Sequence, residues 1–107
     1  MSKVLDLSVF AEDTFDITMP NGELVKVRKP TQAIVIALME LSQAQKINDS
    51  EEIINRMVEF CSVVLNNNKE GKKYSTDWIA DNLDFTMVSA IVQGYSEFIA
   101  DIQSNPI

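Results

Sequence analysis

Thr14-Phe15-Asp16-Ile17-Thr18-Met19-Pro20-Asn21-Gly22-Glu23-Leu24-Val25-Lys26-Val27-Arg28 holds two alternating runs on either side of a turn sequence. Phe15, Ile17 and Met19 alternate with Asp16 and Thr18, and Val25 and Val27 alternate with Lys26 and Arg28. A period of two marks half-buried strands. Register then chooses the turn. A two-residue Asn21-Gly22 loop would pair Ile17 with Lys26 and mix the two faces. A three-residue loop, Pro20-Asn21-Gly22, pairs Ile17 with Val25 and Phe15 with Val27. One residue of slip swaps every side chain to the other face, so the apolar pattern selects the three-residue loop. Pro20 presets φ at the first turn position, and Gly22 can take the left-handed bulge position.

Pro30 ends the second strand because it cannot donate to a ladder. Thr31 caps or opens a helix over about residues 31–46, with Ile34, Leu38 and Leu41 as its core stripe and Val35 and Met39 widening it. Ile36 falls on the polar side, among Gln32, Glu40 and Gln43. The run 33–39 alone would also suit a buried strand, but its continuation into Glu40-Leu41-Ser42-Gln43 favours helix. Asp49-Ser50-Glu51-Glu52 starts a second helix, reaching about Asn66. Asp49 can cap, Glu52 sits three residues on, and acids suit the positive helix end. Ile53, Met57, Phe60 and Val64 share one side, with Ile54, Val58, Cys61 and Leu65 beside them, an arc about 160° wide on the wheel. The run 66–73, opening on Asn66-Asn67-Asn68, reads as a polar loop. Ser75 or Thr76 opens a short helix carrying Trp78, Ile79 and Leu83. Asp84 caps a final helix, about 85–103, striped by Val88, Ile91, Val92, Tyr95, Phe98, Ile99 and Ile102, with Met87 extending the stripe and Pro106 stopping the chain beyond.

The expected fold is mainly α with a short N-terminal β-hairpin: a single domain over 1–107, with the hairpin at 13–29 and a bundle of about four helices at 31–103. A lone hairpin is marginal in water, so the Phe15/Ile17/Val25/Val27 face should lie on the helices or on another chain. The 107 residues have room for one core, and 46% apolar with 23% charged residues is ordinary for a globular domain.

Composition excludes much chemistry. With no histidine and one cysteine, Cys61, the usual zinc sites, an internal disulfide and Ser-His-Asp or Cys-His catalysis are out. Nine bases against sixteen acids give a net charge of −7. That argues against nucleic acid and anionic membrane as partners. No apolar run approaches a bilayer span. The opening MSKVLDLSVFAED lacks the long apolar core of a secretion signal.

The remaining chemical candidates have plainer readings beside them. Asp49, Glu51 and Glu52 could hold a divalent cation, but capping a helix start accounts for them. Cys61 lies among apolar neighbours, where a thiol packs as a small hydrophobe. Gly22, Gly71 and Gly94 are too far apart to form a phosphate cradle. Lys69, Lys72 and Lys73 beside Tyr74 read as a solvated basic loop rather than an anion site. No catalytic residue, cofactor or metal site is expected, and the protein is not expected to be an enzyme.

What remains is apolar surplus on the helices. Either wide arcs touch two neighbours each, or part of the surface is a groove or self-association face. Ile36, with Val35 and Met39 beside it, is the best exposed candidate for binding a partner or a second copy. Each of the three, taken singly, could equally be core.

The run LDLSVFAEDTFDITMPNGELVKVRKPTQAIVIALMEL, residues 5–41, resembles the opening of tail assembly chaperones from long-tailed phages and prophages of Gram-positive bacteria. The resembling features are a Phe-x-Ile-x-Met-Pro-Asn-Gly strand and turn, a basic second strand, and Lys29-Pro30-Thr31 leading into an apolar helix. They cover about a third of the chain, and the rest matches only in length, acidity and helical character. The resemblance implies a non-enzymatic, homo-oligomeric protein. It would keep the apolar tape measure protein soluble in the host cytoplasm until tail tube subunits polymerise, and would be absent from the mature virion. In that family a longer form recruits the major tail tube protein. The resemblance transfers no individual binding residue. The alternatives are a structural virion component, such as a head–tail connector or tail completion protein, and a small acidic regulator that mimics DNA charge.

Overall fold

Two antiparallel strands, β1 (Phe15–Thr18) and β2 (Leu24–Val27), precede four helices, α1 (Gln32–Ile47), α2 (Ser50–Asn66), α3 (Thr76–Asn82) and α4 (Phe85–Ser104). The computed structural model describes Leu5 and residues 13–104. The readings made of residues 1–4 and 6–12 and of Pro106 lie outside the described residues.

The hairpin has the register that the apolar pattern selects: Phe15 faces Val27 and Ile17 faces Val25. Met19 donates its amide to the Glu23 carbonyl at 2.8 Å, and the Gly22 amide donates to the Met19 carbonyl at 2.8 Å. This encloses Pro20-Asn21-Gly22 as a three-residue loop. Gly22 has φ of 87°, open to glycine without the steric cost a Cβ brings.

Each helix start is capped as the sequence implies. Thr31, Asp49, Ser75 and Asp84 accept from the amides of Ile34, of Glu51 and Glu52, of Trp78 and of Met87 respectively. The reciprocal half of the box at Asp49 is not made. Glu52 turns away and accepts from Arg56 Nε at 2.8 Å. Asn48, with φ of 63°, turns the chain from α1 into α2.

α2 is the hub, touching α1, α3, α4 and β2. Its Met57, Phe60, Cys61, Val64 and Leu65 are buried against Val25 and Val27 of the hairpin, Ile34 and Leu41 of α1, Ile79 of α3 and Val88, Ile91 and Tyr95 of α4. The inner face of the hairpin therefore packs on the helices of its own chain. Phe15 lies edge-on to Tyr95, ring centres 5.6 Å apart, and 5.7 Å from Phe98. A Cβ on Gly94 would come within 2.9 Å of Phe15 Cζ, which explains a glycine in mid-helix: the ring rests on bare backbone.

The segment after α2 is more than a polar loop. Arg28 N donates to Asn67 O and Lys69 N to Lys26 O, each at 2.9 Å, and Asn68 bridges Val27 in antiparallel fashion. These residues cover the outer edge of β2, which would otherwise offer unpaired backbone. Asn68, though polar, is buried, and its amide group bonds Leu65 O, Lys72 O and Lys72 N. Tyr74 is buried rather than displayed beside the lysines, and Lys72 pairs with Glu23.

Candidate interaction surface

The buried cysteine and tyrosines are held in structural roles. Cys61 is fully buried, its thiol donates weakly to Val88 O at 3.6 Å, and burial pushes its pKa up to about 12. A thiol held protonated is a poor nucleophile. Burial also raises the Tyr95 hydroxyl, which donates to Arg28 O at 2.7 Å. Tyr74 is raised by burial first and by the nearby Glu70 charge second. Among the described residues no cluster of three or more metal-ligating side chains is placed to hold a metal ion, and no helix is long and apolar enough to cross a membrane.

The surface is more telling. The structure places Ile36 and Met39 outward on α1, 54% and 58% exposed. Val35 beside them is half-buried. Helical geometry explains the split. The buried stripe of Ile34, Leu41 and Ala44 faces the bundle, and Val35, Met39 and Ile36 follow one another around the opposite arc. The three stay together as one patch edge.

Sequence reasoning missed a second apolar surface. Ile54 of α2 and Phe85 of α4 are 45% and 61% exposed. With Val58, Ala80, Leu83 and Val88 they line a groove between α2 and the α3–α4 corner. The wheel had put Ile54 beside the core side of α2. The signal that it stands clear was weak: α3 is only seven residues long and covers one flank of α2 incompletely.

The groove continues along α2 and α3 into a more polar stretch lined by Glu52, Asn55, Arg56, Glu59, Thr76 and Asp77, with Ile54, Val58 and Ala80 shared between the two. Arg56 meets three carboxylates: Glu52 at 2.8 Å, Glu59 at 3.1 Å and Glu40 at 3.6 Å. The hydrogen bond that Arg56 donates to Glu52, followed by these charges, raises its pKa. One cation among three anions leaves the stretch negative. No family model matches this chain, and no curated protein and no solved structure matches it either.

Proposed function

We propose that this protein is a tail assembly chaperone of a long-tailed phage or prophage. It self-associates and binds the apolar tape measure protein, keeping it soluble in the host cytoplasm while the tail is built. The observation that carries the reading is the outward apolar patch of Ile36 and Met39 on a helix whose opposite side is core. Exposed apolar surface of this kind marks partner sites. The net charge of −7 supports solubility while such surface is displayed. The resemblance of residues 5–41 supplies the partner. Binding proceeds by reversible burial of apolar segments, without nucleotide, cofactor or covalent chemistry, and the protein leaves before the virion is complete.

Co-expression with tape measure fragments that precipitate alone tests the reading. Fragments recovered in the soluble fraction with this chain support it. Fragments that stay insoluble contradict it, as does finding the chain in purified virions by mass spectrometry, which would favour a structural component.

A further inference from the structure

We propose that the groove between α2 and the α3–α4 corner is a docking site for a cationic amphipathic helix supplied by another protein. The floor is apolar: Ile54, Val58, Ala80, Leu83, Phe85 and Val88 line it, and Ile54 and Phe85 stand 45% and 61% exposed. The rim is acidic. Glu59 and Asp77 line its far end, and Asp81 lies one helical turn beyond Asp77 on the same side of α3. Asp77 and Asp81 are exposed and form no ion pair among the described residues. The α3 helix carries no base at all, and the single arginine of the region is already shared by three carboxylates.

A floor of this kind takes the apolar stripe of a helix laid along it, read at i, i+3, i+4 and i+7. An acidic rim selects basic flanks and repels acidic ones. A second copy cannot supply such a helix from its described elements. α1 holds one base (Lys46), α2 one (Arg56), and α3 and α4 none. Every one of them carries at least as many acids as bases. Since no described helix of a second copy has basic flanks, the occupant we propose is a different chain. Ile36 and Met39 are not among the residues that line this groove, and the inference stands independently of the chaperone reading.

The probe is a designed 18-residue helical peptide with a leucine stripe and lysine and arginine flanks, roughly five turns long, titrated into the full-length chain and followed by amide NMR. Chemical-shift changes should map to residues 52–59 and 76–88. Affinity should fall at least tenfold in the double variant Asp77→Asn/Asp81→Lys, which keeps a lysine out of the first turn of α3 and whose amide spectrum shows that it folds, and should weaken as salt rises from about 50 to about 300 mM. The variant Ile36→Ser/Met39→Ser should bind as the wild type does. A peptide of the same stripe with glutamate flanks should bind at least tenfold more weakly. The proposal is overturned by shifts centred on α1, by equal affinity for both peptides, by unchanged binding in the lysine variant, or by self-association through the groove without peptide.

Discussion

Asn66 clasps the backbone of Tyr74 with both ends of its amide, accepting from the Tyr74 amide at 2.6 Å and donating to the Tyr74 carbonyl at 3.0 Å. The same carbonyl accepts from Ser62 Oγ at 2.7 Å. A side chain at the end of α2 thus does what a neighbouring strand would do. It holds the start of the α3 segment against α2 and seats Tyr74 edge-on to Trp78, ring centres 5.0 Å apart.

Replacing Asn66 by alanine removes both bonds, together with the one its amide donates to Ser62 Oγ at 3.3 Å, and should cost about 2 kcal/mol of stability. Asn66→Asp keeps the acceptor but faces the Tyr74 carbonyl with a second acceptor, so it should lose at least as much. Urea unfolding midpoints of the two variants check this. A midpoint unchanged in both would show that the clasp contributes nothing.

Most of the fold was legible in the sequence because its signals are local. The hairpin register follows from Phe15, Ile17, Val25 and Val27 and from the demand of Gly22 for positive φ. The four helix starts follow from Thr31, Asp49, Ser75 and Asp84. What was not legible depends on partners distant in sequence. Asn67 and Asn68 look like loop residues until β2, some 40 positions earlier, is brought beside them. Ile54 looks like part of the apolar arc of α2 until α3 proves too short to cover it. Ile36 was recognisable as the odd apolar residue on a polar side, whereas the groove had no periodic signature because it is assembled from three helices.

The seat of Phe15 on Gly94 gives a steric prediction. Gly94→Ala gains helix propensity of about 1 kcal/mol, which the contact at 2.9 Å with the ring tip offsets, so its stability should stay near that of the wild type. Gly94→Val brings branches into the ring and should destabilise by about 2 kcal/mol, detaching Phe15 from Tyr95 and Phe98. Thermal unfolding of both variants, with near-ultraviolet circular dichroism to follow the aromatic cluster, decides it.

Cys61 predicts both reactivity and pH dependence. In the native state the thiol should react with a disulfide reagent at pH 8 orders of magnitude more slowly than in urea. Its pKa rises from 9.0 to about 12 on folding, so the native state holds a proton that the unfolded chain releases. The stability tied to that proton is complete below pH 9.0 and declines as pH rises through the window to about 12. Cys61→Ala should show a shallower alkaline decline than the wild type in urea titrations at pH 8 and pH 10.5. Equal slopes would show that the thiol is not buried as described.

Ile36 and Met39 are exposed, so Ile36→Ser/Met39→Ser should change monomer stability by no more than about 0.5 kcal/mol at each site. Under the proposed function the same variant should self-associate at least tenfold more weakly. Sedimentation velocity across a concentration series separates the two effects. Weakened folding without a change in association would place these side chains in the core instead.

Under the proposed function the chain shields an apolar tape measure segment by assembling on it. The most direct test is multi-angle light scattering of the chain co-purified with a tape measure fragment that precipitates alone. The expected result is a soluble complex holding several copies of this chain per fragment, lost in Ile36→Ser/Met39→Ser. A strictly monomeric chain that leaves the fragment in the pellet would contradict it.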